Sequence, residues 1–180
     1  MGLGIYIVTI IIALFIGRPI YRYYQRTKLK KHPNQLLLEE IKGEESVELI
    51  GLTGGEPFIN PQIIEILSII LKDGHEVLVL TNAYRVLERH KKSLLELKNI
   101  YGDKLHLRVS LDHYTREVHE LERGEKTFER TIESIGRLHK EGFQLSIAGR
   151  SLMAENPEVA AGGYQFLLGY RGLAHSQKGD

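Results

Sequence analysis

The chain has no cysteine among its 180 residues. That absence excludes disulfides, thiolate zinc sites and cysteine-held iron–sulfur clusters built from this polypeptide. Net charge is nearly absent too: 24 Lys and Arg against 23 Asp and Glu leave +1. The small sum hides an asymmetry. Arg18, Arg22, Arg26, Lys28, Lys30 and Lys31 place six cations and no acid in residues 18–31, so the remainder sums to about −5. One basic segment on a mildly acidic body is not the pattern of a general nucleic-acid binder, and no nucleic-acid partner is expected. An apolar run of bilayer-spanning length is missing as well. Leu3 to Ile16 is apolar apart from Gly4 and Thr9, but a spanning helix needs about 20 residues.

Two readings of residues 3–16 stay open. As a membrane contact, their flanking cations would put residues 18–31 in the cytoplasm. As a buried strand, "GIYIVTIII" has the β-branched content that suits the middle of a parallel sheet. We favour Gly4 to Thr9 as a first strand, because it gives the next strand a neighbour and avoids a bare sheet edge. A secretory signal fits poorly, since no cation precedes the run and no small-x-small site follows it. Myristoylation fits poorly too, because position 6 is Tyr. A cytoplasmic location is expected, with membrane association as the alternative.

From residue 47 the chain alternates. "VELIGLT" (47–53), "EVLVLTN" (76–82), "LHLRVSLD" (105–112) and "FQLSIAG" (143–149) read as strands. Helical stretches separate them. Asn60-Pro61 starts the first of these and Asp73-Gly74 ends it. A Leu- and Lys-rich helix stops near Gly102, and Thr127 is placed to cap "FERTIESIGRLHKEG". A weaker helix begins after Asn156-Pro157. This alternation implies βαβ units and a parallel sheet. The expected organisation is an N-terminal segment (1–30), an α/β domain (31–171) and a frayed tail (172–180).

Parallel α/β sheets bind ligands beyond the carboxyl ends of their strands. Those ends carry Thr53-Gly54-Gly55-Glu56-Pro57, Thr81-Asn82, Ser110 with Asp112 and His113, and Gly149-Arg150-Ser151. Paired glycines admit a ligand close to the backbone. Glu56 offers an acceptor for an ammonium, and Arg150 offers a fork for a carboxylate. Together they suit a zwitterion such as an amino acid.

"GLTGGEPFINP", "VLVLTNA", "LRVSLDHY" and "LSIAGRS" together resemble the radical S-adenosylmethionine (SAM) superfamily over roughly residues 45–165. The resemblance implies an incomplete, TIM-barrel-like (β/α) barrel with parallel strands. It implies that Gly54, Gly55, Glu56 and Pro57 hold the SAM amino group. Asn82, Ser110 and Asp112 would lie near the ribose or methionine end, and Arg150 near the SAM carboxylate or the substrate. In that family a 4Fe–4S cluster reduces SAM to a 5′-deoxyadenosyl radical, which takes a hydrogen atom from a substrate, here a peptide or small molecule.

The departure is at the cluster. The family places C-x-x-x-C-x-x-C after its first strand, but residues 10–24, "IIIALFIGRPIYRYY", hold no cysteine. Tyr21, Tyr23 and Tyr24 are hard ligands and poor substitutes for thiolates. The strand count also falls short of six, so a barrel truncated at its C-terminus is expected. Three functions remain: a radical SAM enzyme seen as an incomplete chain, a non-catalytic SAM-binding or scaffold relative, and an unrelated metal or acid–base enzyme. The last would use Asp112, His113 and His119, although His119 is expected on a helix surface. Whether the chain is an enzyme is left open by sequence, and by the family's route it is inactive as written.

Overall fold

The computed structural model describes residues 47–150 and 155–173. The expected first strand at 4–9, the alternative membrane contact at 3–16, the basic segment and Ser151 lie outside the described residues. Within them, four strands form one parallel, open sheet in sequential order. They are β1 (Leu49–Leu52), β2 (Glu76–Thr81), β3 (Leu105–Ser110) and β4 (Gln144–Ala148). Each lies inside its expected span.

The helices are α1 (Ile63–Lys72), α2 (Arg85–Arg89), α3 (Lys91–Tyr101), α4 (Arg116–Arg123), α5 (Thr127–Lys140) and α6 (Pro157–Tyr170). A helix between each pair of neighbouring strands returns the chain to the same end of the sheet, which is what parallel pairing requires. Alternation divides each strand between two faces. Ile50, Leu52, Val77, Val79, Leu105, Leu107 and Val109 are buried on one. Ile63, Ile66, Leu67, Ile70 and Leu71 of α1 join them in a single core. They recur every three or four residues, so one stripe of the helix is apolar. On the other sheet face, Leu49, Gly51, Leu78, Leu80 and His106 are only half-buried, and Arg108 is exposed.

Several helix starts differ from expectation. The Asn60 carboxamide accepts from the Gln62 N–H at 2.9 Å, but Pro61 sits in a turn and α1 begins at Ile63. A short 3-10 turn, Pro57–Ile59, comes first. The Leu- and Lys-rich stretch is two helices, α2 and α3, broken at His90. Thr127 does not cap α5. Its hydroxyl donates to the Gly124 carbonyl at 2.6 Å, and Glu120 Oε1 accepts from the Phe128 N–H at 3.3 Å instead. An acceptor from the preceding helix thus fills the capping role. Asn156 does cap α6, accepting from Glu158 N–H at 2.8 Å.

The core predicts a measurable cost. Leu67 is fully buried, so Leu67→Ala should lower unfolding free energy by about 3 kcal/mol in urea titration, from lost burial and a residual cavity. An exposed residue such as Ile59 should cost well under about 1 kcal/mol when changed to Ala.

Candidate functional site

The strand ends come together around a cavity of about 450 Å³. Gly54, Gly55, Asn82, Ser110, Asp112 and Arg150 line it, together with Leu80, Thr81, Tyr84, Glu122 and Arg123. Six of the eight residues expected at the site therefore converge. Glu56 and Pro57 follow Gly55 in the chain without being lining residues themselves, and Pro57 is buried at the start of the 3-10 turn.

Glu56 works mainly within the chain. Its Oε1 accepts from the Thr81 hydroxyl at 2.8 Å and from the Phe58 N–H at 3.2 Å. Its Oε2 accepts from the Asn82 N–H at 2.7 Å. A carboxylate offers about four acceptor positions, so one remains for an external donor. The side chain locks the end of β1 to the end of β2. The next residue but one, Ala83, holds φ 55°, a left-handed conformation that costs a non-glycine residue about 1 kcal/mol. Its N–H is satisfied by the Thr81 hydroxyl at 2.9 Å. Gly54 has φ 147°, a conformation that side chains disfavour, while a side chain at Gly55 would enter open space.

Asp112 is the centre of the site and is 4% exposed. Arg123 Nη2 donates to its Oδ1 at 2.9 Å. Arg123 Nε lies 2.8 Å from Oδ2, an ionic contact without hydrogen-bond alignment. The same guanidinium donates through Nη1 to Asn82 Oδ1 at 2.5 Å. Arg150 Nε lies 3.4 Å from Asp112 Oδ2, and Arg150 Nη1 lies 3.1 Å from Glu122 Oε2. The Asp112 backbone is held equally firmly. Its carbonyl accepts from Arg150 N–H at 3.0 Å, and the Tyr164 hydroxyl lies 2.9 Å from it. Gly149 makes that approach possible, because a Cβ there would stand 2.4 Å from the Tyr164 oxygen. Burial, then the Asp112 and Glu155 carboxylates, push the Tyr164 phenol up to about 12, so it remains a neutral donor.

His119 corrects the sequence reading. It is fully buried, not on a helix surface. Its Nδ1 accepts from the Asp112 N–H at 3.2 Å. That demand turns His119 inward on α4 and leaves Leu121 exposed. His113 is occupied as well, with Nδ1 accepting from the Thr115 N–H at 3.0 Å and Nε2 lying 3.4 Å from Glu155 Oε2. Among the described residues no group of three His, Asp or Glu could hold a metal ion. The Asp112, His113 and His119 trio therefore does not form a metal centre. A 4Fe–4S cluster does not fit the residues of this chain either, for want of any thiolate.

Arg123 is the main residue that sequence reading missed. It ends α4, 11 residues beyond Asp112. A cation at a helix C-terminus is ordinary, and only the return of α4 onto β3 makes it part of the site.

The radical SAM superfamily matches residues 20–153. The chain belongs to that superfamily. A curated relative, the antilisterial bacteriocin subtilosin biosynthesis protein AlbA of Bacillus subtilis strain 168, is 37% identical over 98 residues. That match covers 54% of this chain and 21% of AlbA. Among solved structures, Streptococcus suis SuiB bound to S-adenosylmethionine has TM-score 0.58 at 14% identity, over 78% of this chain and 31% of SuiB. Archaeal TYW1 has TM-score 0.50 at 17% identity, over 82% and 57%. The radical SAM chain described here thus spans about a fifth of AlbA and under a third of SuiB. The likeness to solved structures establishes the TIM-barrel-like α/β fold. No described helix is long and apolar enough to cross a membrane.

Two outcomes follow from this geometry. Glu56→Ala should destabilise the fold by about 2 kcal/mol in urea titration, since it strands the Asn82 N–H, whereas Glu56→Gln should cost less. Burial holds the His119 imidazole below its usual value of about 6.5, with Arg123 adding to the effect and Asp112 opposing it. The folded state therefore binds fewer protons than the unfolded one just below that pH. Stability is complete above it and falls as pH drops through the folded value. His119→Gln should flatten the decline in melting temperature between about pH 7 and 5.

Proposed function

We propose that the cavity binds S-adenosylmethionine, and that this chain is a SAM-binding module of the radical SAM fold that does not cleave SAM through ligands of its own. The observation that carries this reading is the cavity itself. It lies at the carboxyl ends of parallel strands and is lined by Gly54, Gly55 and the Asp112–Arg123–Arg150 ion cluster.

The chemistry of the lining suits each part of SAM. A methionine carboxylate needs a cation, and Arg123 or Arg150 supplies a fork by exchanging part of its contact with Asp112 or Glu122. The ammonium group needs acceptors, which the Gly54–Gly55 backbone and the free position on Glu56 provide. Ribose hydroxyls pair with polar groups of the Asn82 and Ser110 type. Pro57 fixes the turn that carries this segment. A cluster bound to SAM would supply the electron for reductive cleavage in the family, but no residue of this chain is a thiolate ligand. A role as binding module or scaffold therefore accounts for the residues present. The biosynthetic relative AlbA supports a peptide or small molecule as the second ligand. For residues 3–16, membrane contact stays a proposal alongside the strand reading.

Calorimetry with SAM should give a dissociation constant between about 1 μM and 1 mM, because cluster chelation is missing. Arg123→Lys keeps the charge but loses the fork, and should weaken binding about tenfold. Anaerobic reconstitution with iron and sulfide, followed by dithionite, should yield no 5′-deoxyadenosine. Absence of binding at millimolar SAM would overturn the site, and formation of 5′-deoxyadenosine would overturn the non-cleaving role.

A further inference from the structure

The sheet face that carries the SAM cavity continues beyond it. Ser110 and Leu80 line the cavity. Arg108 lies two residues before Ser110 on the same face of β3, about 7 Å along the strand. The register sets Leu80 beside it in β2 and Ser146 beside it in β4. His106 is the next residue of β3 on that face, flanked by Leu78 and Gln144.

Arg108 differs from the arginines of the cavity. Arg123 and Arg150 are neutralised by Asp112 and Glu122. Arg108 is exposed and makes no hydrogen bond or ion pair among the described residues. His106 presents a buried Nε2 that also has no hydrogen-bond partner. Burial holds its imidazole below the usual value and the Arg108 charge lowers it further, so at neutral pH it adds a polar group and no second cation. Closed (β/α) barrels fill this face with branched apolar side chains. Here it offers one unused guanidinium fork, one neutral imidazole and the Ser146 hydroxyl.

We propose that this face of the sheet, at Arg108 with His106 and Ser146, binds the carboxylate of a second ligand lying against the SAM cavity. The assignment of that ligand as a substrate rests on the cavity being a SAM site; the anion subsite itself does not. A planar fork matches a planar oxyanion through two parallel hydrogen bonds. One full positive charge matches one carboxylate, whereas a phosphate monoester near −2 would remain half uncompensated.

The test uses the isotope-labelled full chain, followed by amide resonances during titration. N-acetylglycine should give saturable shifts centred on residues 106–110 and 144–148, and N-acetylglycinamide should give none. Arg108→Gln should weaken the N-acetylglycine response about tenfold or more while leaving the calorimetric affinity for SAM unchanged. Because Arg108 is exposed, the variant should keep the circular dichroism of the parent. Equal shifts from the amide, or an unchanged response in Arg108→Gln, would overturn the subsite. Tighter binding of phenyl phosphate than of N-acetylglycine would overturn its assignment to a carboxylate. Carboxylate shifts without SAM binding would sink the SAM reading and leave this one standing. SAM binding without carboxylate shifts would do the reverse.

Discussion

A carboxylate that is 4% exposed needs its surroundings to replace water, and Asp112 dictates much of the site for that reason. Removing a charge from water costs several kcal/mol. Arg123 and Arg150 supply the opposite charge. His119 and Tyr164 hold the backbone on either side. The four partners come from three elements: α4, which carries both His119 and Arg123, the segment after β4, and α6. An ion cluster of this type adds little net stability over an apolar one. What it fixes is position, because three elements must dock in one arrangement for the charge to be met. The cavity is what remains between them.

A second carboxylate does the same for the other half of the site. Glu56 ties the end of β1 to the end of β2 through two donors, the Thr81 hydroxyl and the Asn82 N–H. The Gly-Gly-Glu-Pro segment therefore has a structural use independent of any ligand. Glu56 shapes the wall that a ligand meets, and Gly54 and Gly55 form that wall. The two functions are compatible because a carboxylate has more acceptor positions than the chain consumes.

The sequence showed these features unevenly. Strands β1 to β4 were legible because each is a short, largely apolar run that stops at or just before Gly, Asn or Asp, with a helical stretch between one run and the next. Reading strand ends located Gly54, Gly55, Asn82, Ser110, Asp112 and Arg150, because a parallel sheet gathers those ends on one rim. What was not legible depends on helices returning to the sheet. His119 looked like a surface histidine, since scattered histidines are usually solvated. The Asp112 N–H needs an acceptor, and that long-range demand outweighs local pattern. Arg123 and Glu120 were hidden for the same reason, because their partners Asp112 and Phe128 lie outside their own helix.

The parts of the proposed SAM site are separate from the cysteine motif that this sequence lacks. The residues proposed for SAM sit at the ends of β1 to β4 and are braced by Glu56 and Asp112. Every brace is made by residues 56–164. The cluster ligands of the family belong to a loop ahead of β1, outside the described residues. Absence of thiolates therefore leaves each of these braces intact. The cavity, the ion cluster and the polar sheet face beside it therefore stand on contacts that require no cysteine.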